Sequence, residues 1–134
     1  MENPNSRSSS SELNKLLLEM NQEGGFPISI LTDSAGLAIA SAADEGMNAD
    51  KQSAVVAFIQ KTAVQVSRQI GFTNSEEISL YDKDGRHLIC RSFQAKNFDL
   101  ILSVMVPDRS TSYRMITSAT IKKIKEIWSR YWEK

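Results

Sequence analysis

The stretch EISLYDKDGRHLICRSFQAKNFDLILSVMVP, residues 77–107, is the strongest indication of the fold of this chain. It contains three segments of β-type composition, at 77–81, 86–93 and 98–106. The first two flank the turn DKDG, residues 82–85, whose final glycine suits a positive φ, so they predict a β-hairpin. The third is the most apolar segment of the chain, as expected of a central strand that is buried on both faces, and Pro107 ends it. The stretch therefore predicts three consecutive strands.

The segments around this stretch predict a second hairpin and three helices. A leucine-rich helix is expected from a capping box at Ser9 and Glu12 up to the Gly24-Gly25 pair, and strands are expected at 26–32 and 37–42. A middle helix follows Asn48 or Asp50 and ends at Gly71, and a last helix begins near 110–112 and continues to about Trp132. The predicted order is α-ββ-α-βββ-α, an α/β (α+β) fold with a five-stranded, mainly antiparallel sheet and helices on its faces.

The composition is that of one soluble domain. The chain has 134 residues, 41% of them hydrophobic, and its 16 basic residues balance its 16 acidic ones. Residues 1–9 are polar and predict a disordered tail, which leaves residues 10–134 as the domain. With balanced charge, no apolar run of membrane length and no secretory h-region, the sequence predicts a cytoplasmic protein without nucleic-acid or membrane partners. The single cysteine, Cys90, fits a reducing compartment.

Patterns for catalysis, cofactors and metals are not found in the sequence. It contains no P-loop motif for nucleotide phosphates and no Rossmann fingerprint. His87 and Cys90 stand three apart on one predicted strand, so their side chains are expected on opposite faces and out of hydrogen-bonding reach. One histidine and one cysteine are too few ligands for a zinc site. The DKDG turn does not match a calcium-binding loop, because its glycine comes two positions early and no glutamate stands at the twelfth position. We therefore predict no enzyme activity, no cofactor and no metal.

The middle helix has more apolar surface than one sheet face can cover. At 100° per residue, one stripe is predicted to cover the sheet: Val55, Ile59, Ala63, Val66 and Ile70. A second set lies away from it and mixes apolar with basic and polar residues: Ala54, Ala57, Phe58, Lys61, Val64, Gln65 and Arg68. A phenylalanine left in water forgoes about 1.5–3 kcal/mol of burial free energy, so this set predicts a partner surface.

The strand at 77–81 adds a second reason to expect association. If neighbouring strands pair as hairpins, this strand lies at the edge of the sheet, and its sequence has no proline or lysine to block further pairing. Pairing two such edges across a two-fold axis would continue the sheet and bring two middle helices side by side. A symmetric homodimer is therefore expected.

Taken together, these segments resemble the roadblock family, which includes dynein-associated light chains and bacterial regulators of Ras-like GTPases. The resemblance covers about residues 11–132. It depends on the order of the leucine helix, ISILTDSAGLAIA, VVAFIQKTAVQVSRQIG, EISLYDKDGRHLICRSF, FDLILSVMVP and a basic last helix. The resemblance implies a profilin-like sheet of order 2-1-5-4-3, a homodimer through the third strand and the middle helix, and docking of a small Ras-like GTPase on the middle-helix side.

The resemblance also assigns residues to these surfaces. Phe58, Lys61, Gln65 and Arg68 are candidates for either the GTPase surface or the dimer seam, and Glu77, Ser79 and Tyr81 are candidates for the seam. The implied function is a non-catalytic regulator that modulates GTP hydrolysis by its partner. Two alternatives remain open: a scaffold or motor-associated light chain without effect on nucleotide turnover, and a small-molecule sensing domain.

Overall fold

The computed structural model describes the backbone of residues 4–132 and the side chains of residues 9–131. Its elements follow the predicted order α-ββ-α-βββ-α. They are α1 (Pro4–Gly24), β1 (Ile28–Asp33), β2 (Ala38–Ala43), α2 (Ala49–Ile70), β3 (Glu77–Tyr81), β4 (His87–Ala95), β5 (Phe98–Val106) and α3 (Arg114–Trp132).

The five strands form one antiparallel sheet of order β2-β1-β5-β4-β3, which confirms the predicted topology. The apolar strand β5 lies at its centre between β1 and β4, and β2 and β3 are the two edges. On one face of β5, the side chains of Leu100, Leu102 and Val104 lie in the main core beneath α1 and α3. The other face turns Ile101 toward α2, in a smaller cluster with Val56.

The β3–β4 hairpin forms as predicted. The carboxylate oxygen Oδ1 of Asp82 accepts the backbone N–H of Asp84 at 2.9 Å and that of Arg86 at 3.0 Å. Gly85 has φ +92°, in the left-handed region that favours glycine. The short polar side chain of Asp82 thus replaces a backbone acceptor and closes the turn.

Both ends of α2 follow from single residues. Asn48, and not Asp50, is the N-cap, since its Oδ1 accepts the N–H of Lys51 at 3.0 Å. Gly71 ends the helix with φ +78°, and its N–H donates to the carbonyl oxygen of Ser67. The bounds of α2 are therefore set locally.

The starts of the other two helices differ from the sequence prediction. α1 begins at Pro4, so Ser9 lies within the helix, is buried, and is not its N-cap. The predicted boundary between tail and helix is thus too far along the chain, and the part of the predicted tail before Pro4 lies outside the described residues. α3 begins at Arg114, later than predicted, because the Asp108 side chain accepts bonds from Ser110 and Thr111 and holds a turn in front of it.

Candidate interaction surface

Helix α2 is buried along a short strip near its N-terminus. Its buried residues are Gln52, Ser53 and Val56. The amide Nε2 of Gln52 donates to the hydroxyl of Ser103 on β5 at 3.2 Å, which satisfies a buried polar pair between helix and sheet. Two polar residues are thus part of the face that covers the sheet, and hydropathy alone could not assign them to it.

The predicted core stripe of α2 is therefore wrong in its main members. Val55, Val66 and Ile70 are exposed, and Ile70 retains 57% of its accessible surface. Ile59 and Ala63 are half-buried, and Ile59 packs against the small cluster that contains Val56. Because the residues that face the sheet are centred on Val56, the stripe predicted to cover the sheet lies along one flank of the helix and is largely open to solvent.

The second predicted set on α2 is mostly at the surface. Phe58 is 72% exposed, and five others of the set are also exposed: Ala54, Lys61, Val64, Gln65 and Arg68. Ala57 differs. It lies under the β1–β2 turn, where a Cβ added to Gly36 would come within 2.4 Å of the Ala57 Cβ, so Ala57 belongs in part to the packing within the chain.

A surface groove of about 1100 Å³ runs beside the exposed side of α2. One wall carries Phe58, Lys61, Val64 and Arg68, and the far side is formed by the ends of β4 and β5. Phe72, 68% exposed, also lines the groove. The volume would hold a small ligand, but most of the lining residues are exposed, so the feature is an open surface groove and not an internal pocket.

Phe72 was missed by the sequence analysis, although a local signal exists. It directly follows the C-cap Gly71, and its N–H donates to the carbonyl oxygen of Ser67 at 2.9 Å. An apolar residue just after a glycine C-cap usually folds back onto its own helix. Here Phe72 remains exposed, so it adds to the apolar surface at the end of α2.

β3 is an edge strand, as predicted, and its side chains alternate between the two faces of the sheet. Glu77, Ser79 and Tyr81 are on the α3 face, while Ile78 and Leu80 are on the α2 face. Ile78 packs beside the small cluster under α2. Leu80, 58% exposed, was not among the predicted site residues, and it extends the apolar surface from α2 to the edge of the sheet.

The three predicted seam residues are all engaged within the chain, and the hydroxyl of Ser79 donates to Glu77 Oε2 at 3.3 Å. Glu77 accepts hydrogen bonds from the hydroxyl of Tyr113 at 2.6 Å and from Arg114 Nη1 at 2.8 Å. Tyr81 stacks on His87, with ring centroids 4.1 Å apart, and the guanidinium of Arg109 lies 4.8 Å from the centroid of the Tyr81 ring. These contacts fix the α3 face of β3.

The opposite edge of the sheet differs from β3. On β2, the backbone N–H of Ser41 donates to Asn14 Oδ1 of α1 at 2.9 Å. The side chain of Asn21 donates to the carbonyl oxygen of Ala42 at 3.0 Å. Helix α1 thus covers part of this edge, which is one of the ways in which proteins protect an edge strand from further pairing.

His87 and Cys90 are separated as predicted. His87 is buried on the α3 face, between Tyr81 and Tyr113. Cys90 is buried in the cluster under α2, and burial raises the pKa of its thiol to about 12. Among the described residues, no group of three or more His, Cys, Asp or Glu side chains is placed to hold a metal ion. Within that same part of the chain, no helix has the length and apolar character needed to cross a membrane.

The element order, the sheet order and the helices on its two faces define the roadblock fold. Solved structures with this fold are similar over nearly the whole chain. Myxococcus xanthus MglB has a TM-score of 0.71 and 16% sequence identity, over 99% of this chain and 93% of that one. A structure described as MglB with tetrameric arrangement has a TM-score of 0.69 and 17% identity, over 94% and 91%.

A third similar structure is a Roadblock/LC7 domain from Streptomyces avermitilis, with a TM-score of 0.64 and 14% identity, over 90% of this chain and 98% of that one. No family model matches the sequence, and no curated protein matches it either. The likeness is therefore one of fold, at sequence identities of 14–17%.

Proposed function

We propose that this chain is a non-catalytic homodimeric regulator that binds a small Ras-like GTPase and modulates its GTP hydrolysis in the cytoplasm. One observation carries the proposal: the free edge strand β3 lies beside a helix whose apolar side chains its own sheet leaves uncovered. A monomer gains nothing from such a surface, since each exposed large apolar side chain forgoes about 1.5–3 kcal/mol of burial free energy. Its fold, shared with MglB structures that include a tetrameric arrangement, supports self-association.

The exposed residues of α2 divide into two sides, and we assign a different partner to each. Val55 and Val66 are on the same flank as Ile59, and Ile59 packs against the small buried cluster that Ile78 of β3 also contacts. Leu80 is exposed on the same face of the sheet. These residues form what we call the seam surface: Val55, Ile59, Val66, Ile70, Ile78 and Leu80. We assign it to the second copy of the chain.

The other side of α2 is the groove surface, which we define as Phe58, Lys61, Val64, Arg68 and Phe72. We assign it to the GTPase. Asp50 is the only acid in α2, so the helix wall of the groove is basic and apolar, and it suits a partner surface with carboxylates around an apolar centre. Four residues were left between the two roles by the family resemblance. Gln65 lines the groove as the other three do, so all four go to the GTPase side in this proposal: Phe58, Lys61, Gln65 and Arg68.

A regulator without catalytic groups can change GTP turnover by binding one arrangement of the GTPase switch loops more tightly than another. A tenfold change in rate requires a difference of only about 1.4 kcal/mol in stabilisation of the transition state. Contacts with the apolar side chains of the groove surface can supply a difference in stabilisation of that size. Arg68 is a solvated residue at the rim in this proposal and is not required to enter the active site of the GTPase.

The test is GTP turnover by a cognate Ras-like GTPase, measured with and without this protein. Phe72→Asp should abolish binding and the change in turnover, while the protein stays dimeric in sedimentation. Val66→Asp should weaken the dimer instead. Leu18→Asp, at an exposed apolar position on α1, is the matched control and should change neither property.

Three outcomes would contradict the proposal or redirect it. Binding without any change in turnover would replace regulation by a scaffold or light-chain role. No binding by any Ras-like GTPase would refute the GTPase assignment. A small metabolite that raises the melting temperature and whose effect is lost in Phe72→Asp would favour the sensing alternative.

A further inference from the structure

The hydrogen bonds of the β3–β4 hairpin reveal which backbone groups of β3 are free. The N–H of Asp82 donates to the carbonyl oxygen of Arg86 at 2.8 Å, and the N–H of Ser92 donates to the carbonyl oxygen of Glu76 at 3.0 Å. Opposed residues in an antiparallel pair are alternately hydrogen-bonded and not hydrogen-bonded. Because every second residue is hydrogen-bonded, starting from Glu76 at one end and Asp82 at the other, the backbone N–H and C=O groups of Ile78 and Leu80 bond to β4.

The N–H and C=O groups of Glu77, Ser79 and Tyr81 therefore point away from β4, toward the free edge. A partner strand can bond to β3 only through these three residues. An antiparallel pair of identical strands must also be symmetric about a two-fold axis. Within β3, that leaves three possible centres: Ile78, Ser79 or Leu80.

We propose that a second copy of this chain pairs its β3 antiparallel to β3 with Ser79 on the two-fold axis, so that Glu77 lies opposite Tyr81 of the second copy. This inference depends on the homodimer proposed above and specifies its register. All five residues of β3 are then paired, and each outward N–H meets an outward C=O. The small Ser79 side chains are the ones that meet at the axis.

The side chains on the α2 face favour this centre. Ile78 lies opposite Leu80 of the second copy, and the reverse pair repeats on the other side of the axis. The exposed Leu80 is covered in both copies, and the four aliphatic side chains form one patch beneath the two α2 helices. Direct cross-strand pairs of this kind are the unit by which strands stabilise one another.

The charges on the α3 face favour the same centre. Glu77 lies opposite the Tyr81 ring of the second copy, which carries the guanidinium of Arg109 at 4.8 Å from its centroid. An axis at Ile78 would instead bring the two Glu77 carboxylates to diagonal positions about 7–8 Å apart on one face. An axis at Leu80 would place Ile78 opposite Asp82 and would leave only residues 79–81 paired within the strand.

Disulfide cross-linking of single-site cysteine variants in a Cys90→Ala background tests the register. The background is needed because Cys90 lies directly opposite Ile78 on β4 and would compete for an Ile78→Cys thiol within one chain. In the proposed pairing, the two copies of Ser79 have Cα atoms about 5.5 Å apart, within the range that a disulfide spans, whereas the two copies of Ile78, or of Leu80, are about 8 Å apart. Ser79→Cys should therefore form a covalent dimer under mild oxidation at least tenfold faster than Ile78→Cys or Leu80→Cys. A mixture of the last two variants should cross-link to each other faster than either does to itself.

The Cys90→Ala chain without a second substitution is the control, because Cys90 is the single cysteine of the sequence and this variant has no thiol to oxidise. Faster cross-linking of Ile78→Cys or Leu80→Cys alone would overturn the Ser79 register. So would a dimer in sedimentation that no variant cross-links, and in both cases the proposed function would stand. A protein that sediments as a monomer at all concentrations would refute the homodimer itself.

Discussion

The hydroxyl of Tyr113 donates a hydrogen bond of 2.6 Å to the carboxylate of Glu77, and this bond joins the last helix to the edge strand of the sheet. Arg114 donates to the other carboxylate oxygen at 2.8 Å, and the guanidinium of Arg91 lies 3.8 Å from it. Burial and the bond to Glu77 raise the pKa of Tyr113, so the phenol remains a donor at neutral pH. Glu77 thus holds β3 in place from the α3 side and leaves its backbone edge free.

Replacing Glu77 by alanine should lower the stability of the fold. The variant Glu77→Ala removes the acceptor for Tyr113 and Arg114, and a hydrogen bond to a charged group contributes about 1.5–3 kcal/mol. We expect a loss of about that size in the free energy of unfolding, measured by urea denaturation. The neighbouring Glu76 is exposed, and Glu76→Ala should change the value by less than about 0.5 kcal/mol. Equal losses in the two variants would contradict this role for Glu77.

The two sides of α2 should respond differently to a buried charge. Val56 is fully buried, so Val56→Asp places an unpaired carboxylate in an apolar cluster and should destabilise the fold by about 3 kcal/mol or more. Phe58→Asp, two residues further on, should leave the thermal unfolding transition of the monomer nearly unchanged. Circular dichroism melts of both variants check this pair. If Phe58→Asp unfolds as readily as Val56→Asp, the exposed side of α2 has been misassigned.

Gly36 should tolerate alanine poorly because two effects coincide there. Its φ of +90° is in the left-handed region, and an added Cβ would come within 2.4 Å of the Ala57 Cβ. Gly46 has the same φ of +90°, but nothing lies within 4 Å of an added Cβ. Gly46→Ala should therefore report the backbone strain alone, about 1–2 kcal/mol.

Gly36→Ala should lose about 1–3 kcal/mol more than Gly46→Ala, since the turn must move off α2 to admit the methyl group. Chemical denaturation of both variants measures the difference. A difference near zero would mean that the β1–β2 turn does not pack closely on α2.

The ion pair between α1 and α3 should make stability depend on pH in acid. Arg130 Nη2 donates to Glu12 Oε2 at 2.6 Å, and this bond, with burial opposing it and Tyr131 assisting, lowers the pKa of Glu12. Because the pKa is lower in the folded than in the unfolded state, the stabilisation is present above the unfolded pKa and is lost as pH falls through the folded pKa.

The variant Glu12→Gln should therefore flatten the fall in the free energy of unfolding between about pH 5 and pH 3. Glu19→Gln, an exposed glutamate on the same helix, is the control and should leave the slope as it is. A Glu12→Gln variant with the same slope as the unmodified protein would show that the Arg130 contact contributes nothing to stability.

Local signals predicted most of the fold. The bounds of β3 and β5 and the turn at Asp82 follow from the chemistry of a few neighbouring residues. The sequence also predicted Gly71 as the C-cap of α2 and narrowed the N-cap to Asn48 or Asp50. The start of α3 did not follow, because the Asp108 side chain holds a turn between β5 and the helix. Ser9 was misjudged for a different reason, since the helix continues upstream of a residue that has the spacing of a cap.

The interaction surface was predicted only in part. Phe58 and its exposed neighbours were found by periodicity, but Leu80 and Phe72 were missed because each looks like an ordinary apolar residue in its own segment. The role of Glu77 was also out of reach, since its partners Tyr113 and Arg114 are more than thirty residues away along the chain.

The order of the helices and strands and the position of β3 at an edge could be predicted from the amino-acid sequence, because periodicity and turn chemistry act between residues close in the chain. Which side of α2 covers the sheet could not be predicted in this way, because it is set by contacts between distant parts of the chain. That choice depends on the hydrogen bond between Gln52 and Ser103 and on the close approach of Ala57 to Gly36. Neither contact can be read from a hydropathy pattern. Because of these contacts, the apolar flank of α2 that contains Val55 and Val66 is exposed to solvent, on the side of the edge strand β3.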